Sequence, residues 1–518
     1  MAPKDRQRVA AVIDIGSSVL SMEVAESSRG EPVELDYLEY PVNLGYETFT
    51  HGKVSFKTTE EVAKALEGFK ASARQYGVED GAIRVMATTA LREAANAAYV
   101  LDQLKNRTGL SVEVLEDGQE MAHIFKEVLR RMHARGQDLA KPFMMAHIGT
   151  GSVGIAAARD GAVFFARSIR VGSLKLSQML GDTGERTPRF YAIIEEYLAA
   201  LTGLLRDQMR AFRPGRFVVC GKEIELIARL TGASERDGVQ AISRQDLAAL
   251  YDSVKGLTPN QAAHKYGLRE EQGEVLLPSL AIYMTLSEFT GSDEVLSPGV
   301  VLADSLLYEL LDPEDADGWN RRFEESIAAS SWETARHYGA DGSHAAAVER
   351  HSLLIFDSLK KIHGFSRRER RLLQAAAITH DIGKFVNTKY HDVYSCHLLL
   401  DSHIIGLTTA EMRLVANIAR YHSGAVPSLS HPEWAELSPA EQLTAAKLAA
   451  ILRLADALDR SHLQKFADID IKLKDNELII TGHTDRDVTL EEWTFGYKSE
   501  YFTEVFGLKC TLRNKGRE

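Results

Sequence analysis

The chain has 518 residues, of which 45% are hydrophobic and 26% charged, and this composition excludes a disordered or low-complexity protein. At roughly 150 residues per domain, the length predicts three or four domains. The 61 lysine and arginine residues are outnumbered by 73 aspartate and glutamate residues, giving a net charge of −12. This balance excludes nucleic-acid binding through bulk positive charge, so an anionic ligand would need a local cluster of cationic groups.

The cysteine content and hydropathy predict a soluble, cytoplasmic chain. Cys220, Cys396 and Cys510 are widely spaced and form no CxxC pair, which argues against a disulfide framework and against a zinc–thiolate site. No run approaches 18 uninterrupted apolar residues, so no membrane span is expected. The N-terminal segment is typical of a first β-strand rather than of a signal peptide.

The first third of the chain alternates short apolar runs with segments of helical spacing, which is typical of an α/β domain. The predicted elements are strands at 9–15, 19–25, 83–87 and 112–115, and helices at 59–76 and 90–104. Residues 12–17 (VIDIGS) also resemble residues 145–150 (MAHIGT). This similarity predicts two related lobes, over 1–135 and 136–311; chance is the alternative, since only the isoleucine and the glycine are identical.

The character of the sequence changes after the acidic segment PEDADG at 313–318, which predicts a turn-rich connector. Beyond it, a helical domain is predicted over 320–465 and a small α/β domain over 466–518. The predicted elements are helices at 346–362, 369–382, 410–421 and 443–458, and strands at 467–473, 477–481 and 509–512.

Two glycine–hydroxyl turns are candidate phosphate-binding loops. They are Gly16-Ser17-Ser18 and Gly149-Thr150-Gly151-Ser152. Glycine permits a close backbone approach, and amide and hydroxyl groups donate to phosphate oxygens. Taken singly, each turn is better explained by an ordinary hairpin; two such turns on similar strands support a phosphate-binding role equally well.

Two further segments carry polar groups suited to a phosphate site. Thr88 and Thr89 precede a predicted helix that contains Arg92, and a helix N-terminus with an arginine can bind an anion. The alternative is a threonine cap with a solvated arginine. Glu120 follows an acidic loop, and a carboxylate beside a phosphate could orient or deprotonate an attacking water.

In order and spacing, these segments resemble the exopolyphosphatase / guanosine pentaphosphate phosphatase (Ppx/GppA) family of the actin-like ATPase superfamily. The resemblance covers about residues 8–305 and rests on AVIDIGSS, ATTALREAAN, VEVLEDGQEMAHIF, HIGTGS and SIRVGSLKL. It implies an α/β fold with two actin-like (ribonuclease H-like) lobes, and a homodimer. By this analogy both loops bind phosphate with Thr88 and Thr89, Arg92 holds a phosphate, and Glu120 activates water. A gapped alignment would instead place Met121 at the catalytic position.

The chain departs from the family pattern at several positions. Ser18 and Val19 stand where the family has asparagine and serine, and the later glycine–threonine turn is reduced to Cys220-Gly221-Lys222-Glu223. His147 and Gly154 replace an aspartate and a glutamate. The resemblance implies Mg²⁺ at this site, and these two replacements remove carboxylates that would help to hold it.

The helical region offers a second candidate site. Its residues are His351, His380, Asp381 and Asp456. Imidazole and carboxylate groups on several helices can enclose a divalent metal, which lowers the pKa of a bound water. The order H…HDIGK…D resembles the HD-domain phosphohydrolases over about residues 345–465 and implies Mg²⁺, Mn²⁺ or another transition metal. His403 and His422 are candidates for a second metal, although structural histidines explain them better.

Three hypotheses follow. The first is a phosphohydrolase that releases terminal orthophosphate from polyphosphate or guanosine pentaphosphate, with Glu120 activating the water. The second is metal-dependent hydrolysis at the HD-type site, with the lobes as a ligand-binding module. The third is a weakly catalytic sensor of polyphosphate or of guanosine penta- or tetraphosphate. None of them involves nucleic acid or a membrane.

Overall fold

A computed structural model describes residues 8–28, 31–181 and 190–516. The chain forms two compact units, Met1–Phe323 and Glu324–Glu518. Over the described ranges, the longest apolar helices still fall short of what a membrane span requires.

The described part of the first unit contains two mixed β-sheets with helices around them. Its strands are β1 (Val9–Ile15), β2 (Val19–Ser28), β3 (Glu31–Pro41), β4 (Ile83–Ala87), β5 (Val112–Val114), β6 (Phe143–Ile148), β7 (Val153–Arg159), β8 (Ala162–Ile169), β9 (Phe217–Cys220), β10 (Ser234–Arg236), β11 (Val239–Ser243) and β12 (Glu294–Ser297). Its helices are α1 (Leu44–His51), α2 (Phe56–Gln75), α3 (Thr89–Glu93), α4 (Ala97–Thr108), α5 (Asp117–Ala134), α6 (Ser173–Gly181), α7 (Phe190–Phe212), α8 (Lys222–Thr231), α9 (Arg244–Val254), α10 (Pro259–Tyr266), α11 (Glu270–Ser287), α12 (Leu302–Leu311) and α13 (Pro313–Phe323).

The order of the five-stranded sheet recurs within the seven-stranded sheet, as β8-β7-β6-β9-β12. Their strand orders are β3-β2-β1-β4-β5 and β10-β11-β12-β9-β6-β7-β8. In the first, β1 pairs antiparallel with β2 and parallel with β4; in the second, β6 pairs antiparallel with β7 and parallel with β9. The predicted α/β class is therefore confirmed, and both glycine–hydroxyl turns occupy the same hairpin position in their sheets.

The predicted helix at 90–104 is in fact two helices, α3 and α4. The break comes at Ala94, whose backbone is extended (φ −71°, ψ 124°). Just beyond it, the Asn96 side chain accepts a hydrogen bond from the Val54 N–H at 3.0 Å and donates one to the Val54 carbonyl at 2.8 Å. Asparagine side chains that bond the backbone in this way compete with helix continuation.

The prediction of a turn-rich connector at 313–318 is wrong, because these residues begin the helix α13. A proline fits the first helical position, where its missing N–H is not needed. The acidic residues lie in the first turn and two arginines in the last, and both placements stabilise the helix dipole.

The second unit is helical with a small sheet. Its elements are α14 (Glu325–His337), α15 (Gly342–Ser358), α16 (Lys360–His363), α17 (Arg367–Thr379), α18 (His391–Leu400), α19 (Thr409–Arg420), α20 (Pro432–Ala435), α21 (Pro439–Ala457), β13 (Ile469–Lys474), β14 (Glu477–His483), α22 (Thr489–Phe506) and β15 (Lys509–Lys515). The sheet order is β13-β14-β15. One core cluster joins Leu373 and Leu452 of the helices to Phe466, Ile480 and Phe502. The segment predicted as a separate domain over 466–518 thus shares its core with the helices.

This shared core predicts that Gly482 in β14 does not tolerate a side chain. A Cβ at this position would lie 2.1 Å from the Phe466 ring, so Gly482→Ala should destabilise the second unit by about 1–3 kcal/mol. Gly496→Ala in α22 is the matched control, because a Cβ there meets nothing within 4 Å and alanine favours a helix. Thermal unfolding measures both. Equal melting temperatures would contradict the packing of Phe466 on β14.

Candidate active site

The first glycine–hydroxyl turn is fixed by the start of α1. Ser17 is buried, with 3% of its surface exposed, and its carbonyl accepts a hydrogen bond from the Gly45 N–H at 2.7 Å. A Cβ on Gly45 would lie 2.6 Å from the Ser17 Cβ. The loop Gly16–Ser18 is therefore held between β1 and α1.

The second turn is held by the start of α6. The Ser173 N–H donates to the Gly149 carbonyl at 3.1 Å, and the Lys175 N–H donates to the Thr150 carbonyl at 3.0 Å. A Cβ on Gly172 would lie 2.3 to 2.5 Å from backbone atoms of this loop. Gly172 thus has to be glycine for the loop to keep this position.

The second loop of one lobe contacts the threonine–arginine segment of the other. A Cβ on Gly151 would lie 2.6 Å from the Thr89 Cγ2, and the hydroxyl oxygens of Thr89 and Ser152 are 3.4 Å apart. Nearby, the Lys175 ammonium pairs with the Glu93 carboxylate at 2.7 Å. Thr88 lies at the N-cap of α3 without a side-chain capping bond. The tertiary structure therefore brings together motifs that lie far apart in the sequence.

Arg92 lies at the centre of this arrangement and is not the solvated residue of the alternative interpretation. Its guanidinium donates to the Thr89 hydroxyl at 3.1 Å and to the Leu115 carbonyl at 2.5 Å. It also pairs with Glu120 at 3.2 Å and with Asp117. Sequence reasoning missed Asp117, which only its place at the start of α5 brings to Arg92.

Glu120, not Met121, faces Arg92. It lies in the first turn of α5 with 7% of its surface exposed. Burial raises the pKa of its carboxyl group, and the attraction of Arg92 offsets this only in part. Its Oε1 lies 3.7 Å from the His147 Nε2, and burial lowers the pKa of that imidazole to about 4, so His147 is neutral. A buried carboxyl group with a raised pKa suits a general base.

Asp14, near the end of β1, is a second carboxylate beside Glu120. We call the site formed by these two carboxylates, Arg92, His147 and the two glycine–hydroxyl loops the cleft. Its Oδ1 is buried and has no hydrogen-bond partner. Burial raises the pKa of this carboxyl group, and the positive charge of Lys222 opposes that rise. Sequence reasoning did not single out Asp14 or Lys222.

In the second unit, four imidazoles converge on Asp381. The Asp381 Oδ2 faces His344 and His380 at 3.8 and 3.6 Å. Its Oδ1 faces His391 and His422 at 3.5 and 3.6 Å. Each imidazole points its Nε2 at the carboxylate, so Asp381 lies between two pairs of nitrogen donors.

Asp456 is a second carboxylate beside the imidazole pair of His344 and His380. Its Oδ1 lies 3.2 Å from the His344 Nε2 and 3.7 Å from the His380 Nε2. Those two nitrogens are 3.3 Å apart. Lys384 pairs with Asp381, and Lys498 pairs with Asp456. Among the described residues, the groups of side chains able to hold a metal all include members of this cluster.

The structure does not bring His351 into this cluster, so we correct the predicted ligand set. The His351 Nε2 lies 3.0 Å from the Phe466 carbonyl oxygen, and burial lowers its pKa to about 4. His344 lies two turns earlier on the same face of α15 and takes its place. The predicted His380, Asp381 and Asp456 do lie together. His422 joins them, whereas His403 belongs to none of the grouped sets.

Comparisons with known proteins agree with this architecture. The sequence profile of the Ppx/GppA phosphatase family matches residues 24–314, and that of Ppx/GppA phosphatase, domain III, matches residues 328–497.

The chain belongs to the Ppx/GppA phosphatase family.

Full-length relatives carry more specific names. The chain is 22% identical over 478 residues to the guanosine-5'-triphosphate,3'-diphosphate pyrophosphatase of Photobacterium profundum, covering 91% of each chain. It is 23% identical to the protein of that name from Vibrio vulnificus, covering 86% of each. The crystal structure of an exopolyphosphatase from Cytophaga hutchinsonii covers 59% of this chain and 98% of its own, with a TM-score of 0.53 and 16% identity, and shares its fold.

The membership confirms the prediction of a hydrolase that acts on phosphoric anhydrides. The homodimer, the cytoplasmic location and the HD-type metal site stay predictions.

At positions 147 and 154, the cleft does not supply the carboxylates that would help to hold the Mg²⁺ that the Ppx/GppA pattern implies. At position 154, a Cβ would lie 2.9 Å from the Met121 Cγ, so Met121 fills the space into which a glutamate side chain would extend. At position 147 a neutral imidazole stands in place of a carboxylate, and Mg²⁺ prefers oxygen ligands.

The burial of Glu120 predicts a pH-dependent stability. The pKa of Glu120 is raised above its ordinary value of 4.5, so the folded chain holds the carboxyl proton more tightly than the unfolded chain does. The free energy of unfolding therefore falls as the pH rises from the ordinary pKa of Glu120 to its raised pKa. Glu120→Gln cannot ionise and should lose less stability as the pH rises from 4.5 towards neutrality.

Melting temperatures across this range test the effect. Glu113→Gln is the control, because that side chain is 44% exposed on β5. Parallel curves for the wild type and Glu120→Gln would contradict the raised pKa.

Proposed function

We propose that the first unit hydrolyses the terminal phosphoanhydride bond of polyphosphate, guanosine pentaphosphate, or both, and releases orthophosphate. The observation that carries this proposal is the ion pair of the buried Glu120 with the half-buried Arg92, beside two glycine–hydroxyl loops. Guanidinium, amide and hydroxyl groups are all donors to phosphate oxygens. The names of the full-length relatives support the guanosine nucleotide as one substrate.

In the proposed reaction, a water molecule attacks the terminal phosphorus while the Glu120 carboxylate accepts one of its protons. The bond between that phosphorus and the bridging oxygen breaks, and the bridging oxygen leaves as an oxyanion on the remaining phosphate chain. Arg92 and the loop amides neutralise charge on the transferred group, and such electrostatic stabilisation supplies most of the acceleration in phosphoryl transfer. The raised pKa of Glu120 strengthens it as a base once it is ionised.

This mechanism predicts that Glu120→Gln lowers kcat by about 10²- to 10⁴-fold. The amide cannot accept a proton, but it preserves the size of the side chain. Phosphate release from polyphosphate and from guanosine pentaphosphate is the measurement, with Glu113→Gln as control. Activity that persists in Glu120→Gln and is lost in Asp381→Asn would locate the reaction in the second unit instead.

A second candidate function resides in the second unit. We propose that the cluster around Asp381 binds two divalent cations and hydrolyses a phosphoester or nucleotide. The Nδ1 atom of each of the four imidazoles faces an acceptor outside the cluster. The His344 Nδ1 lies 2.9 Å from the Asp459 carboxylate. The other three face backbone carbonyl oxygens: His380 that of Ala377 at 2.8 Å, His391 that of Thr388 at 3.0 Å, and His422 that of Ala419 at 2.6 Å.

These contacts support the metal assignment. A proton fixed on Nδ1 leaves each Nε2 as a lone-pair donor, which is how protein partners orient metal-binding histidines. Asp381 would offer one carboxylate oxygen beside each pair of imidazoles. Imidazoles favour transition metals over Mg²⁺. A cation bound there would lower the pKa of a bound water and so supply a nucleophile at neutral pH.

The choice between His344 and His351 gives a direct test. Metal analysis of the purified chain should find about two transition-metal ions per chain. His344→Ala should lose at least half of this metal, whereas His351→Gln, on the same helix, should retain it. Equal loss in both variants, or metal retained in Asp381→Asn, would contradict the proposed ligand set.

A further inference from the structure

Lys222 enters the cleft beside Asp14. It is the first residue of α8, and its ammonium group donates to the Ser21 hydroxyl at 3.1 Å. Ser21 pairs directly with Asp14 across the β1–β2 ladder, so both side chains lie on the same face of the sheet, about 5 Å apart at Cβ. The ammonium group therefore lies next to the carboxylate at the end of β1.

The backbone before Lys222 is shaped to bring it there. Gly221 has a φ of +118°, and a Cβ on it would lie 3.1 Å from the Ile148 carbonyl and 3.3 Å from the His147 Nδ1. Only glycine combines this conformation with so close an approach. Lys222 thus begins its helix against the strand end from which the second phosphate loop starts.

The Lys222 side chain also reaches the surface of the protein. The Lys222 side chain is 43% exposed, and its nearest carboxylate is that of Glu39 at 3.8 Å. Glu39 is paired independently with Arg269 at 3.3 Å. Lys222 could therefore turn toward a ligand in the cleft while Glu39 keeps a cationic partner.

We propose that Lys222 is a substrate-binding residue that contacts the phosphate chain and supplies positive charge where this chain has lost the family's carboxylates at 147 and 154. The inference rests on the function proposed above. A lysine ammonium is a compact point charge that binds phosphate oxygens without a metal. Substrate binding in this chain accordingly depends on Lys222 and persists when divalent cations are removed.

The test measures binding of tripolyphosphate by calorimetry in the presence of EDTA, together with phosphate release from polyphosphate. Lys222→Met should weaken tripolyphosphate binding at least tenfold, since hydrogen bonds to charged groups contribute about 1.5–3 kcal/mol. KM should rise more than kcat falls. Lys222→Arg keeps the charge and should bind within about threefold of the wild type.

Arg269→Ala is the matched control, because it removes the other cationic partner of Glu39. Wild-type affinity in Lys222→Met, equal weakening in Arg269→Ala, or no binding by the wild type in EDTA would overturn the proposal. A third outcome separates the two proposals. If neither the wild type nor any variant releases phosphate, but Lys222→Met binds tripolyphosphate more weakly than the wild type, the proposed hydrolysis is wrong and the binding role of Lys222 is retained.

Discussion

The cleft of the first unit depends on keeping carboxylates out of water while placing cationic side chains beside them. Burial raises the pKa of both Glu120 and Asp14, and Arg92 and Lys222 oppose that rise. Removing a carboxylate from water costs free energy, and the attraction of a nearby cation offsets only part of that cost. The first lobe holds Arg92 in place through hydrogen bonds to Thr89 and Leu115 and ion pairs with the first turn of α5. A site built in this way holds its charges in fixed directions before any phosphate arrives, which is what electrostatic catalysis requires.

The need to place cationic groups beside buried carboxylates also bears on the positions where the chain differs from the family pattern but keeps the fold. Met121 fills the space below Gly154, so the lost glutamate is replaced by packing rather than by a cavity. His147 is neutral beside Glu120. Positive charge enters instead from Lys222, on the segment where the family's glycine–threonine turn is absent. Compared with the family pattern, the cleft of this chain thus lacks two carboxylates that would bind a metal and contains Lys222, which can bind an anion.

The second unit follows different chemistry. There the carboxylates of Asp381 and Asp456 face imidazole nitrogens, and burial lowers the pKa of His422 well below its ordinary value. Burial also lowers the pKa of His344, but its hydrogen bonds to Asp456 and Asp459 outweigh that effect and raise it to about 9. Such a strong pull toward protonation shows how much negative charge the cluster directs at one point, the property that a cation site needs.

The sequence by itself determined features that depend on neighbouring residues: the strands predicted near 9–15, 19–25, 83–87 and 112–115, both glycine–hydroxyl turns and the threonine–arginine segment. A turn or a helix start is governed by local backbone preferences, so its pattern is legible in a few residues. The tertiary structure decided which side chains meet. His344 and His351 share one face of α15, and only the packing of α17 and α21 selects the first. Lys222 joins its site through a contact with Ser21, 201 residues earlier in the chain. His391, at the start of α18, joins its site through a contact with His422, which lies just after α19. Long-range packing fixes such contacts, and no local pattern encodes it.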